Sequence, residues 1–350
     1  MHTISSPTNS RRPSLGKKII SFAFNTGLIR VGRGIWKKSL TVLNYHRIDD
    51  PYRKGIDSFQ PNISAHPDEF KRQMEYLERW FNVVSVREVA IWLEGKASLP
   101  DFAALITFDD GYLDNYINAY PILRQHNFPA VIYLAAGHID TDKPFYWDLA
   151  AYCFTHTKKD HVSFPGGTER SWGTSDELLQ ISKEWIEAMK ILPETEKQGW
   201  VSRLPEELNI SIPKNFFKNL MMNWDQVREM HGNGIDFGGH TINHPILTRI
   251  APEAARTEIA GSKVQIEGEL GETITSFAYP NGMKADVNSQ IEKITAESGF
   301  KTAFTLQNGP ATLRETRRNP YAIRRSFISH KHTLAHFSTL ISPFNRIRPT

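Results

Sequence analysis

The chain has 350 residues, enough for one large α/β domain with an insertion or for two smaller ones. A single cysteine, Cys153, excludes an internal disulfide and a cysteine-built zinc site. The formal net charge is +4, but eight of the 42 Lys and Arg fall in the first 40 residues with no acid among them. The remainder, 34 basic against 38 acidic, is mildly acidic, which argues against nucleic acid as the main partner.

Residues 1–16 are rich in Ser, Pro, Asn and Arg, a composition that predicts disorder. Lys17 to Leu40 interleaves basic residues with Ile19, Ile20, Phe22, Leu28, Ile29 and Trp36. Arg30 and Arg33 keep its apolar runs too short to cross a bilayer, and no small-residue cleavage site follows. Two readings fit: a basic amphipathic segment lying on an anionic membrane surface, or a first helix packed on the domain. The expected organisation is a basic extension over 1–38 and one domain over 39–340. The expected location is cytoplasmic, with residues 17–40 offering peripheral contact to the inner face of the membrane.

Leu40 to Tyr45 reads as the first strand, with His46 at its end. Asp68 to Phe81 is a periodic helix with Phe70, Met74, Leu77 and Phe81 on one face. A short strand, Val83–Ser85, and a helix, Val86–Glu94, follow. The apolar run Phe102 to Phe108 is a buried strand, then a helix spans Tyr112–His126 and a strand Ala130–Leu134. Phe145-Tyr146-Trp147-Asp148 opens an insertion that is helical from Ala150 to about Leu220, broken by prolines and by Gly166-Gly167. Further helices are expected at Trp224–Met230, Pro252–Glu269 and Val287–Glu297. Strands are expected at Ile235–Gly238, Ile274–Tyr279, Lys301–Thr305 and Tyr321–Ile328. Alternation of this kind predicts a mostly parallel sheet, closed as an incomplete or distorted (β/α) barrel of about seven or eight strands.

Two stretches carry the chemistry. The strand ending at Phe108 drives straight into Asp109-Asp110-Gly111. Two adjacent carboxylates at the end of a buried strand are costly unless a cation meets them. A divalent metal would settle the conflict, with one Asp binding it and the other free to move a proton. The second stretch, Ile235 to Pro245, ends in His240 and His244, four apart, so one turn of helix would point both imidazoles the same way. Two His and one Asp make a three-ligand site with open positions, for which zinc is the first choice.

Thr107-Phe108-Asp109-Asp110-Gly111-Tyr112 together with His240-Thr241-Ile242-Asn243-His244 resembles the polysaccharide deacetylases of the NodB-homology type. These are carbohydrate esterases that remove N-acetyl groups from sugars, and the resemblance runs from about Leu40 to about Ile328. It implies that Asp109 is the base and that Asp110, His240 and His244 hold the metal, with Thr241 supporting the loop between the histidines. The metal would acidify a water and polarise the acetamide carbonyl. The family's third motif, R-x-P-[YFW]-G, reads here Ala278-Tyr279-Pro280-Asn281-Gly282. The resemblance assigns the oxyanion donor to the backbone N–H of Asn281, with its side chain as a second donor. The arginine that orients the base is absent at Ala278, and Arg325 on the last strand is the expected replacement. The family's late histidine acid has no clean match among His330, His332 and His336, so His46, directly after a strand, is ranked first. Tyr112, Trp147 and Tyr279 are the aromatic side chains expected against the sugar. For Tyr146, Trp147 and Phe154, packing of the insertion on the barrel is the alternative.

The implied activity is metal-dependent hydrolysis of the N-acetyl group of an amino sugar in a cell-wall polysaccharide or exopolysaccharide. Two alternatives stay open: a deacetylase or deformylase of a lipid-linked sugar at the cytoplasmic membrane face, and a non-catalytic carbohydrate-binding member of the fold.

Overall fold

The computed structural model describes residues 37–53, 58–309 and 311–341. Most of the basic stretch 17–40, and with it both readings of that stretch, lies outside the described residues.

In chain order the first half contains β1 (Ser39–Tyr45), β2 (Arg47–Ile48), β3 (Ile63–Ala65), α1 (Pro67–Trp80), β4 (Asn82–Val83) and α2 (Val86–Leu93). Then come β5 (Ala103–Asp110), α3 (Tyr120–Gln125), β6 (Ala130–Leu134), α4 (Tyr146–His156), β7 (His161–Phe164), β8 (Thr168–Ser171), α5 (Ser175–Lys190) and α6 (Glu194–Glu207). The second half contains α7 (Trp224–Gly232), β9 (Ile235–Gly239), α8 (Pro252–Leu270), β10 (Ser276–Ala278), α9 (Ser289–Glu297), β11 (Thr302–Phe304), β12 (Ala311–Thr312), α10 (Leu313–Arg318), β13 (Ser326–Phe327) and α11 (Leu334–Leu340).

The sheet runs β11-β10-β9-β6-β5-β1, every neighbouring pair parallel. β4 adds beside β5, and β12 lies antiparallel on β1. The two ends of this path meet through one short segment. Ile323 bridges Phe304 of β11, and three residues on β13 pairs with β1, Leu43 opposite Ser326. The Ile323 N–H donates to Ala303 O at 3.0 Å and the Ile328 N–H to Asn44 O at 3.0 Å. The sheet therefore curls into a distorted (β/α) barrel whose seam is residues 323–327. The strand expected at Tyr321–Ile328 is regular only at Ser326–Phe327, because the segment changes partner midway and neither ladder grows long.

Strand alternation divides the apolar residues into two sets. Leu40, Val42, Leu105, Val131, Tyr133, Ala278, Phe304 and Ile323 pack together inside the barrel, and Val86, Val89 and Trp92 of α2 join them. Leu43, Ile106, Phe108, Ile132, Phe237 and Phe277 pack outward under the helices.

Two helix expectations change. The stretch Tyr112–His126 starts with a bridge from Tyr112 to Met221, is helical from Leu113 to Gln125, and widens into π-helix over Asn115–Ala119 before α3. The insertion is not helical throughout: β7 and β8 form a hairpin across Pro165-Gly166-Gly167, with both glycines at positive φ. His161-Val162-Ser163-Phe164 alternates half-buried and buried, the period of a strand rather than a helix.

Candidate active site

The parallel strands bring the predicted site residues to their C-terminal ends, the face where this architecture places chemistry. β5 delivers Asp109 and Asp110, β9 leads into His240, β10 into Asn281, and His46 follows β1. Among the described residues Asp110, Thr241, His244 and Asn281 all adopt positive φ, at 76°, 67°, 58° and 60°. Non-glycine residues enter that region at a cost, least tolerable for a β-branched threonine, so the backbone is strained where the site is built.

Asp109 points into the barrel and is held by three hydrogen bonds. Arg325 Nη1 donates to its Oδ1 at 2.6 Å and Arg325 Nη2 to its Oδ2 at 2.7 Å. Asn44 Nδ2 donates to Oδ2 at 2.9 Å. Arg325 is itself wholly buried, donating also to Thr305 O and Thr107 Oγ1. Burial pushes the Asp109 carboxyl up, but the Arg325 guanidinium outweighs it with help from His240, and the group is held at about 2. Position 278 lies on the same inner face and offers only a methyl group. The cation comes instead from the seam that closes the barrel.

Asp110 turns the other way. Its Oδ1 lies 3.5 Å from His240 Nε2 and 3.4 Å from His244 Nε2. One ligand atom from each of the three residues falls within 4.8 Å of the others. Both Asp110 carboxylate oxygens are buried and make no hydrogen bond. A carboxylate removed from water without donors is costly, and a divalent cation removes that cost. His240 Nδ1 sits 2.7 Å from Ala278 O. A carbonyl can only accept, so Nδ1 carries a proton, and Nε2, the nitrogen on the Asp110 side, is the one that a metal would take. Burial, then His240, pulls the His244 imidazole well below its usual value, which keeps it neutral. Two imidazoles and a carboxylate fit a divalent metal.

The histidines do not share a helical turn. Residues 240–244 form a loop, and the positive φ at Thr241 and His244 folds it so that the imidazoles converge, ring centroids 4.8 Å apart. The Thr241 hydroxyl donates to His240 O and accepts the His244 N–H. Glu258 of α8 accepts from the N–H groups of Ile242 and Asn243 and from Asn243 Nδ2, all at 2.8 Å. Such an acidic clamp, reaching from the next helix, has no sequence signature.

A cleft of about 500 Å³ opens above these groups, and His46, Trp147, Asn281 and His330 line it with them. His46 Nδ1 is buried and makes no hydrogen bond, and burial lowers the imidazole's pKa. His330 comes from the far end of the chain, with its Nδ1 2.9 Å from Ile63 O. His332 and His336 contact each other at 4.4 Å and do not line the cleft. The Asn281 backbone N–H has no partner among the described residues, whereas its side chain is held by Asp286. One of the two Nδ2 hydrogens is thereby committed to Asp286.

Of the three aromatic residues expected against the sugar, only Trp147 reaches the cleft. Its ring stacks on Phe145 at 4.5 Å and meets His244 edge-on at 5.0 Å. Tyr112 is buried behind it, accepting from Trp147 Nε1 and donating to Asp148 at 2.7 Å each. Tyr279 is buried too, because β10 alternation turns it outward with Phe277. Its hydroxyl donates to Tyr321 O at 3.0 Å. Sequence reasoning also missed Asn44, whose signal was a polar amide within an otherwise apolar strand.

Comparison with known proteins agrees with this geometry. The family model for polysaccharide deacetylase matches residues 96–187 and 199–303, more than half of the chain. The YxkH protein of Bacillus subtilis is 22% identical over 291 residues, 83% of this chain and 71% of that one. The poly-β-1,6-N-acetyl-D-glucosamine N-deacetylase of Staphylococcus epidermidis is 25% identical over 230 residues, 58% of this chain and 72% of that one. Among solved structures, Streptococcus pyogenes deacetylase PplD in complex with acetate superposes with a TM-score of 0.56 at 19% identity. That match covers 87% of this chain and 99% of the other, and it shows a shared fold. The chain belongs to the polysaccharide deacetylase family.

Proposed function

We propose that the chain hydrolyses the N-acetyl group of an amino sugar in a cell-wall polysaccharide or exopolysaccharide, using a divalent metal held by Asp110, His240 and His244. The observation that carries this reading is the pairing of two carboxylates with opposite environments at one strand end. Asp109 is caged by Arg325, and Asp110 has no donor at all. A Staphylococcus relative named for N-deacetylation of poly-β-1,6-N-acetyl-D-glucosamine supports the substrate class. Zinc is the metal we place there first, given two imidazoles and one carboxylate.

When bound, the metal would polarise the acetamide carbonyl and acidify a water. Asp109 receives the proton. Arg325 and Asn44 fill three of its four acceptor positions, leaving one on Oδ1. A carboxylate held at about 2 is a weak base, so its usefulness depends on that acidified water. The Asn281 N–H faces the developing oxyanion. His46 serves the departing amine, and His330 is the other imidazole on the same cleft besides the two that would hold the metal.

The test is acetate release from N-acetylglucosamine oligomers with metal, with chelator, and with Asp109→Asn. We expect release that chelation stops and metal restores, and a loss of about a hundredfold or more in Asp109→Asn with metal still bound. No release from any oligomer by metal-loaded protein would overturn the reading.

A further inference from the structure

The mouth of the cleft carries charge that the deacetylation reading does not use. Lys183 of α5 and Lys331, just after β13, both line it. Neither has a carboxylate within ion-pair distance among the described residues. Lys190, also on the wall, is already neutralised by Glu187 at 2.7 Å. Burial and then the Lys331 charge lower the pKa of the Lys183 amine. Some lysines of the fold do face acids, as in Lys197 with Glu194 and Lys301 with Glu94.

Two like charges brought to one cleft wall by unrelated segments can be met together by a single group of opposite sign. The protein does not supply it inside the cleft. The Asp109 charge is cancelled by Arg325, and on the reading above Asp110 is committed to the metal. An anion that meets both lysines would come with a ligand.

We propose that Lys183 and Lys331 form a subsite for an anionic group carried by the substrate, a phosphate ester or a uronate carboxylate, close to the N-acetylated sugar. This rests on the deacetylase reading of the neighbouring site and narrows its substrate to charged glycans. The two ammonium groups offer six N–H donors on one cleft wall, which suits an oxyanion with several acceptors.

The experiment measures binding, not turnover, on the full chain loaded with zinc. Calorimetric titrations compare an N-acetylglucosamine trimer, the same trimer bearing a 1-phosphate, and a trimer of equal length containing one glucuronate. Wild type is set against Lys183→Met, Lys331→Met and the double variant, each checked for an unchanged unfolding midpoint. At least one anionic trimer is expected to bind about tenfold more tightly than the neutral one. The advantage should shrink as salt rises and vanish in the double variant, whose affinity for the neutral trimer stays the same. Gain with the phosphate points to a sugar phosphate or lipid-linked sugar, and gain with the glucuronate points to an acidic polysaccharide. Equal affinity for all three in wild type, or an advantage that survives both substitutions, overturns the proposal. Absence of acetate release would sink the deacetylase reading without altering this readout, so the two failures are distinguishable.

Discussion

Asp109 and Arg325 form a fully buried, two-pronged ion pair, and its energetics are asymmetric. Removing one partner leaves the other charge stranded in the barrel. Arg325→Ala should therefore cost about 3–5 kcal/mol of stability and most of the turnover. Arg325→Lys retains charge but not the fork, so it should recover stability better than activity. Urea unfolding and acetate release on the same preparations separate the two. Ala278 sits on the same inner face, so adding Ala278→Arg to Arg325→Ala should restore part of the lost turnover. A second buried acid behaves in the opposite sense. Asp148 is pushed up to about 6 by burial, against the pull of Arg47 and the Tyr112 hydroxyl. The folded state then holds a proton that the unfolded chain releases near pH 4, so this contribution is present below pH 4 and is lost as pH rises through 6. Asp148→Asn should flatten the fall in stability between about pH 4 and pH 6, read from unfolding midpoints across that window.

The loop after β9 shows how an element positions ligands. Thr241 spends a strained backbone and one hydroxyl to link the two histidines. Thr241→Val removes the hydroxyl at nearly constant volume and should weaken metal affinity by about 10- to 100-fold, measured by chelator competition. Thr241→Ser should keep most of it. Within β9 the constraint is space. A Cβ on Gly238 would lie 2.5 Å from the Tyr133 ring and 2.7 Å from Ser276 O, so the strand cannot sit flush between β6 and β10 with any side chain there. Legibility follows from the same physics. β5 and β6 were readable because unbroken apolar runs bury both faces, and the acids at the end of β5 stood out as chemistry. The spacing of His240 and His244 was readable but its geometry was not, since four residues suit a helical turn and a tight loop equally. Tyr279 was misplaced because its face depends on a strand only three residues long. The β7–β8 hairpin was hidden by Pro165-Gly166-Gly167, which breaks a helix and turns a hairpin alike.

At the scale of the whole molecule, the barrel and the site depend on the same few connections. The seam segment that joins β11 to β1 also delivers Arg325, so closure of the sheet and ionisation of Asp109 are one event. Sequence alternation predicted a barrel but could not show that closure would rest on residues 323–327, because pairing to two different strands leaves no repeat to read. Metal binding should be coupled to folding in the same way. The ligands come from β5 and from the loop after β9, on opposite sides of β6, and they converge only when the parallel sheet is formed. A metal that binds the folded chain at a free concentration a hundredfold above Kd should add about 2.7 kcal/mol to the unfolding free energy, seen as an upward shift in Tm. His240→Ala should abolish the shift. Asp110→Asn gives the sharper test, because its effects on the two states differ in sign. The metal-free wild type keeps a buried carboxylate without donors, and the amide removes that cost. The variant should thus be more stable than wild type in chelator, and less stable than wild type once zinc is present, because it no longer responds to the metal. An unchanged zinc response in Asp110→Asn would separate Asp110 from the metal and leave its two unpartnered oxygens unexplained.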